Sequence, residues 1–172
     1  SGAIAGGSGG EYFVGKYDGV RFSPLQDSQW VDHGRDFYAP VSWSDLPEED
    51  GRRIWIGWFN NWETCLVPTF PWRSCMSIPR ELSLRRIPTA ADAAQSTVVL
   101  VQRPVRELDA LRQEGEQIDT SAIGWPPQSV TTQGQIAELS FDLEMTLEPG
   151  ESRSCGVRIR TGEGEFIEVG YD

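Results

Sequence analysis

The alternation of apolar and polar positions is the strongest signal in this chain, and it predicts β-strands. The segments Asp36–Trp43 and Arg53–Asn60 are rich in aromatic and β-branched residues, and turn-forming residues bound both of them. A polar connection that ends in Asp50-Gly51 joins the two segments, so they are predicted to pair as an antiparallel hairpin. In the second segment apolar residues occupy both faces, which is typical of a strand buried between two neighbours.

Shorter patterns flank this central hairpin. On its amino-terminal side, Tyr12–Tyr17 and Val20–Phe22 lie on either side of Asp18-Gly19, a strong turn signal that predicts a second hairpin. On its carboxy-terminal side, Thr97–Val101 is a short β-branched strand. Apolar residues at near-helical spacing then predict a short helix over Pro104–Arg112.

Clean alternation returns near the carboxyl end. The segment Ile136–Leu147 places apolar side chains on one face and polar side chains on the other, which predicts a half-buried antiparallel strand. Two further strands are predicted, one that contains Cys155 to Ile159 and one over Phe166–Tyr171. A meander of this kind is typical of half a β-sandwich, so the sequence predicts an all-β protein.

The central hairpin also carries the candidate chemistry. If Trp43 lies opposite Arg53, period-two alternation gathers an acid, a phenol, an indole and an amide at one end of one face. The two cross-strand pairs are Tyr38 with Trp58, and Asp36 with Asn60. Aromatic rings stack on the apolar face of a sugar while carboxylate and amide groups bind its hydroxyls, so this set predicts a carbohydrate site. The alternative is a hairpin core in which Tyr38 and Trp58 only pack.

The composition narrows the function classes. A formal net charge of -11 leaves no basic patch for nucleic acid or an anionic membrane surface, and no apolar run is long enough for a membrane span. No spacing of Cys and His suggests zinc, and with His33 as the single histidine a Ser-His or Cys-His catalytic pair has little support. The sequence therefore predicts neither a metal nor a cofactor.

Two features have competing interpretations. Cys65 and Cys75 flank a proline-containing connection and could form a disulfide, but small buried thiols fit the pattern at least as well. Glu81 stands near Arg73 and Arg80, which suggests catalysis at first sight. A structural ion pair is the better interpretation, because a neighbouring arginine stabilises the charged carboxylate and so disfavours a general acid.

Three motifs follow one another within the central stretch: DHGRDFYA at Asp32–Ala39, GWFNNW at Gly57–Trp62, and PWRSCMSIPREL at Pro71–Leu82. Together they resemble glycoside hydrolase family 32, which contains the invertases, inulinases and levanases. Three motifs in the right order are a more specific match than any one of them. Weaker similarity at Gly6–Gly15 and Gly162–Asp172 extends the resemblance over nearly the whole chain.

The resemblance implies a five-bladed β-propeller followed by a β-sandwich, with this chain beginning inside the first domain and stopping inside the second. It implies incomplete propeller blades over 1–87, a linker with a short strand and helix over 88–112, and an incomplete sandwich over 113–172. The family's catalytic motifs Asn-Asp-Pro-Asn, Arg-Asp-Pro and Glu-Cys do not occur in this sequence. The resemblance therefore implies no catalytic residue here and no glycosidase activity for the chain alone.

For the parent protein, the resemblance implies a retaining hydrolase of β-fructosides such as sucrose, inulin or levan. Its implied partners are a fructose-containing oligo- or polysaccharide and the missing amino-terminal portion of the same enzyme, and its implied location is secreted or extracytoplasmic. This chain is expected to form one wall of the fructosyl pocket through four residues: Asp36, Tyr38, Trp58 and Asn60. Two alternatives stay open, a non-catalytic carbohydrate-binding protein and a structural sandwich without a ligand. Exposed strand edges predict self-association of the isolated chain.

Overall fold

The structure is a computed structural model that describes residue 4 and residues 6–63, 70–89, 95–115, 141–148, 150–160 and 164–171. Within these ranges the protein is all-β, with one short 3-10 helix at Arg106–Leu111. The strands in chain order are β1 (Glu11–Tyr12), β2 (Gly15–Tyr17), β3 (Phe22–Pro24), β4 (Gln29–Trp30), β5 (Tyr38–Ser42), β6 (Arg53–Phe59), β7 (Cys75–Met76), β8 (Arg80–Pro88), β9 (Ser96–Pro104), β10 (Cys155–Arg160) and β11 (Phe166–Tyr171). Helices with the length and apolar character needed to cross a membrane are absent from the described residues.

The chain forms two compact units, Ser1–Leu111 and Arg112–Asp172. The first unit extends past the predicted boundary at residue 87, because β9 pairs with β8 along the whole length of both strands. The strand and helix predicted within 88–112 are present as β9 and the 3-10 helix. The boundary between the two units thus falls between Leu111 and Arg112, at the end of the segment predicted as a linker.

The packing of the first unit is centred on β6. This strand pairs with β5 on one side and with β7 and β8 on the other, as its two apolar faces predict. On one face the ring of Phe37, which is only 2% exposed, covers Gly57. A Cβ at Gly57 would stand 2.7 Å from a carbon of the Phe37 ring, closer than real Cβ atoms come to other atoms. Only glycine fits at this position, so ring and bare backbone pack directly together.

The pairing of β5 with β6 confirms the central part of the predicted register. Tyr38 lies opposite Trp58, as the alternation predicts. Beyond this pair a β-bulge shifts the register, so that Val41 lies opposite Ile56. Ala39 sits within the bulge at a φ of 47°, in the left-handed region that non-glycine residues rarely occupy.

The bulge overturns the other part of the predicted register. The amide of Trp43 donates to the carbonyl of Ile54 at 3.0 Å, so Trp43 lies next to Ile54 and the predicted pairing with Arg53 is wrong. Arg53 instead reaches back through its guanidinium to the Trp43 carbonyl at 3.3 Å. One extra residue in β5 is enough to move every later partner by one position.

The predicted hairpin at Asp18-Gly19 is confirmed, with β2 and β3 as its strands. Gly19 adopts a φ of 101° at the turn. The side chain of Asp18 accepts hydrogen bonds from the amides of Arg21 and Val20 at 2.7 and 2.8 Å, and these bonds lower the pKa of Asp18. Residues Glu11–Tyr12 do not join this hairpin, because β1 pairs with β4.

Side chains close the outer edge of the sheet at β9. The amide group of Gln26 donates to the Val98 carbonyl at 2.7 Å and accepts from the Val98 amide at 3.0 Å, as a neighbouring strand would. Gln29 donates to the same carbonyl at 3.2 Å, and the Tyr12 hydroxyl accepts from the Leu100 amide at 3.0 Å. We call these three side chains, Tyr12, Gln26 and Gln29, the glutamine clamp.

An arginine joins the β5–β6 connection to the 3-10 helix. The guanidinium of Arg52 binds Asp50 at 2.6 Å and Glu107 at 2.7 Å. The bond to Arg52 lowers the pKa of Asp50 to about 2, and a similar bond lowers the pKa of Glu107. Both carboxylates favour the charged form in the folded protein, which makes this contact sensitive to acid.

In the second unit, β10 and β11 form an antiparallel hairpin, in agreement with the predicted pair of strands. Arg158 binds Glu168 across the hairpin at 2.8 Å. The predicted strand Ile136–Leu147 is not confirmed where the structure describes it, because residues 141–148 form no strand; residues 136–140 lie outside the described residues. Alternation indicates which side chains would share a face, whereas a β-strand also needs backbone hydrogen bonds to a neighbouring strand.

We expect Gly57→Ala to lower the free energy of unfolding of the first unit by about 1–3 kcal/mol, because the added methyl group overlaps the Phe37 ring. The matched control is Gly10→Ala, where the nearest atom to an added Cβ is 3.5 Å away. Urea unfolding measures both variants. Equal stabilities of Gly57→Ala and Gly10→Ala would contradict the packing described here.

We expect Asp50→Asn to destabilise the protein at neutral pH and to have a diminishing effect below about pH 4. The pKa of Asp50 is lowered from 3.8 to about 2 by Arg52, so its stabilising contribution is present above the unfolded pKa and is lost as Asp50 takes up a proton. Urea unfolding across this pH range measures the effect, with Asp45→Asn in the same connection as the charge-matched control. A penalty that stays constant down to about pH 2 would argue against the contact.

Candidate functional site

Three aromatic side chains meet at one end of the β5–β6 pair. The rings of Tyr38 and Trp58 approach edge to face, with centroids 6.5 Å apart and planes at 61°. The ring of Trp62 also contacts Trp58, with centroids 5.1 Å apart and planes at 59°. Tyr38 and Trp58 are half-buried, whereas Trp62 is 67% exposed. We call Tyr38, Trp58 and Trp62 the aromatic wall.

A buried serine holds the middle ring of the wall. The indole Nε1–H of Trp58 donates to Ser74 Oγ at 2.6 Å, and Ser74 is 9% exposed. Ser74 has a φ of 59°, and the strand β7 begins directly after it. Because β7 pairs with β6 through Met76 opposite Trp58, the serine is carried by the same ladder as the ring that it binds.

The predicted pairing of Asp36 with Asn60 is not what the structure shows. Asp36 precedes the first residue of β5, and its Oδ1 accepts a hydrogen bond from the Nδ2 of Asn61 at 2.6 Å. The Oδ1 of Asn60 accepts from the Asn61 amide at 2.8 Å, and Asn60 is 4% exposed. The side-chain amide that donates to Asp36 is thus that of Asn61, a residue that the alternation pattern assigns to the opposite face.

Asn61 is the most deeply buried polar residue described, at 1% exposure. Its Oδ1 accepts from the Glu63 amide at 2.9 Å, and the Glu63 carboxylate in turn accepts from the Gly7 amide at 2.6 Å. Arg35 binds the same carboxylate at 3.2 Å. Glu63 thus ties the glycine-rich segment at the amino end to the residues beside the aromatic wall.

An arginine supports the wall from the opposite face of the sheet. The guanidinium of Arg80 lies 4.0 Å from the centre of the Phe37 ring and binds Asp32 at 2.6 Å. Glu81, adjacent in sequence, lies 4.0 Å from Arg52 and is partly exposed. This contact agrees with the structural ion pair that the sequence predicts for Glu81, but its partner is Arg52 and not Arg73 or Arg80.

Neither of two surface cavities includes the aromatic wall. A cavity of about 270 Å³ lies beside Trp43 and Arg53, and one of about 420 Å³ lies between Tyr12 and Leu100. The described residues contain no group of three or more His, Cys, Asp or Glu that could hold a metal ion. Cys75 is an exposed free thiol and not one of the buried thiols that the sequence also allows, and Cys65, the other half of the possible disulfide, lies outside the described residues.

Comparison with known proteins gives a consistent result. The family model "Glycosyl hydrolases family 32 N-terminal domain" matches residues 2–104, which ends at the last residue of β9. A levanase of Bacillus subtilis is 43% identical over 177 aligned residues, covering 100% of this chain and 25% of the levanase. An extracellular exo-inulinase of Aspergillus niger is 41% identical over 107 residues, covering 57% of this chain and 18% of the relative.

The solved structures point the same way. A fructofuranosidase of Schwanniomyces occidentalis complexed with fructose shares 38% identity and superimposes with a TM-score of 0.53. The match covers 60% of this chain and 20% of that one. The chain therefore spans about a quarter or less of the length of these relatives.

We expect Asn61→Asp to destabilise the protein at neutral pH by about 1–3 kcal/mol or more, because it places a second carboxylate where an amide now donates to Asp36. Urea unfolding measures the effect. Exchanging the two residues, as Asp36→Asn with Asn61→Asp, should recover most of the stability. A double variant no more stable than Asn61→Asp alone would contradict the pairing.

Proposed function

Because this chain belongs to glycoside hydrolase family 32, we propose that it is part of a retaining hydrolase of β-fructosides, in which it supplies one wall of the pocket for the fructosyl unit. The family match covers more than half of the chain, and the similarity to the levanase extends over all of it. The matched proteins are named levanase, exo-inulinase and fructofuranosidase. These names share one substrate class, fructose-containing oligo- and polysaccharides.

The observation that carries this proposal is the aromatic wall. Tyr38 and Trp58 come together because they are cross-strand neighbours on one face of the hairpin. Each of the two rings has an apolar face on which a sugar ring can stack, and the tyrosine adds a hydroxyl that can hydrogen-bond to the sugar. Most of Trp62 remains accessible at the end of this surface. Stacking on the apolar face of a furanose, with the Tyr38 hydroxyl bonded to a sugar hydroxyl, is the contact that we propose.

Asp36 and Asn60 take polar roles beside the wall. A carboxylate has more acceptor sites than one amide can use, so Asp36 can bind both Asn61 and a sugar hydroxyl. The Oδ1 of Asn60 is engaged by the backbone, which leaves its NH₂ group as the donor for a ligand. Asn61 orients Asp36 and does not itself reach the ligand.

The chemical step requires groups from elsewhere in the whole protein. Retaining hydrolysis uses a carboxylate nucleophile and a carboxylic acid that protonates the leaving oxygen. The sequence of this chain contains none of the motifs that carry these groups in the family. We propose that the first unit is part of a five-bladed propeller, that the second unit is part of a sandwich, and that the whole protein is secreted, as the exo-inulinase name "extracellular" suggests.

In the whole protein that carries this chain, we expect Trp58→Ala to lower kcat/KM for sucrose, inulin and levan about tenfold or more, since it removes stacking and apolar area worth about 1.4 kcal/mol or more. Tyr38→Phe keeps the ring and should cost about two- to tenfold through the lost hydrogen bond. Release of fructose measures both. Trp72→Ala, which removes an indole that is 63% exposed and lies outside the wall, is the control.

Two results would reject the proposal. If Trp58→Ala and Tyr38→Phe both kept wild-type kcat/KM while retaining the fold, the wall would not contact the substrate. If the whole protein bound fructans with saturable quenching of Trp fluorescence but released no fructose, it would be a carbohydrate-binding protein without catalysis.

A further inference from the structure

We infer that Ser74 is a positioning residue that turns Trp58 so that the indole presents its ring face, and not its N–H, to the ligand. This inference rests on the proposed function of Trp58. The indole has a single hydrogen-bond donor, Nε1–H, and no acceptor. That donor is engaged by Ser74 Oγ at 2.6 Å in a nearly buried position. Trp58 therefore has no polar group left for a sugar hydroxyl and binds by stacking alone.

The backbone at Ser74 has an unusual conformation that the neighbouring strand pairing holds in place. A φ of 59° is costly for a residue with a Cβ, by about 1 kcal/mol, and glycine adopts it freely. Such a conformation persists where the surroundings require it. The next residue, Cys75, begins β7 and lies opposite Phe59, and Met76 lies opposite Trp58. The ladder fixes the backbone and aims the hydroxyl at the indole.

Ser74 selects one of two orientations of the indole. The Trp58 ring contacts both Tyr38, at a centroid distance of 6.5 Å, and Trp62, at 5.1 Å, and these contacts restrict its plane. A half-turn of the ring about its Cβ–Cγ bond would keep the plane but exchange its two edges. The hydroxyl of Ser74 bonds only one of these orientations. Loss of the hydroxyl should therefore loosen the stacking surface without altering the chemical step.

The test uses the whole protein with two variants that separate the hydroxyl from the backbone. Ser74→Ala removes the hydroxyl and keeps a Cβ at the strained φ, whereas Ser74→Gly removes the hydroxyl and relieves the strain. We expect both variants to raise KM for β-fructosides about three- to tenfold with kcat nearly unchanged. A wild-type KM for Ser74→Gly, with a raised KM for Ser74→Ala, would mean that Ser74 serves only the backbone and would overturn the inference.

A double-mutant cycle tests whether Ser74 acts through Trp58. In the background of Trp58→Phe, which has no N–H, adding Ser74→Ala should leave KM unchanged. Independent, multiplicative effects would show that the serine acts elsewhere. Selective ¹⁵N labelling of tryptophan gives a readout without substrate: the Nε1–H resonance of Trp58, assigned through Trp58→Phe, should exchange slowly with water in the wild type and rapidly in both Ser74 variants.

The outcomes also separate this inference from the proposed function. If Trp58→Ala leaves kcat/KM intact, the binding wall is rejected and the inference falls with it. If Trp58→Ala lowers kcat/KM but the Ser74 variants change neither KM nor the exchange of the indole proton, the wall stands and only the positioning role is rejected.

Discussion

The contact between the Phe37 ring and the bare backbone of Gly57 is the constraint on which the first unit depends. With no room for even a methyl group between them, Phe37 can occupy only the face of the sheet that Gly57 leaves open. The next residue, Tyr38, must then lie on the other face, opposite Trp58. The guanidinium of Arg80 packs over the Phe37 ring. The position of the aromatic wall thus follows from a packing contact on the reverse side of the sheet.

Hydrogen bonds hold both the aromatic wall and the polar residues beside it. Trp58 is fixed by a single hydrogen bond to a serine on the neighbouring ladder. Beside the wall, the buried side chain of Asn61 donates a hydrogen bond to Asp36 and accepts one from the amide of Glu63. A buried amide with unmet hydrogen bonds is costly, so this network has little freedom to rearrange. The residues around the wall are therefore held firmly although they lie at the end of a hairpin.

Period-two alternation was sufficient to predict the hairpin, its inner strand and the pairing of Tyr38 with Trp58. It could not predict that Trp43 meets Ile54, because the bulge at Ala39 depends on a φ value that the pattern does not contain. The pattern also predicted Asn60 as the partner of Asp36, because alternation assumes that strands continue past their ends. The ordered motifs predicted the family, and the comparisons confirm it. The pattern gave no sign of the role of Ser74, because that bond joins segments 16 positions apart through a left-handed residue.

The glutamine clamp has a consequence for how this sheet can grow. Val98 offers both of its backbone groups outward, and Gln26 occupies both of them with one primary amide, much as a peptide unit of a further strand would. A strand in this place would present a second edge with unpaired backbone groups, whereas a side chain presents none. At Val98, the pairing of β9 with a further strand is therefore blocked by a side chain that makes the hydrogen bonds of a neighbouring strand and ends the series.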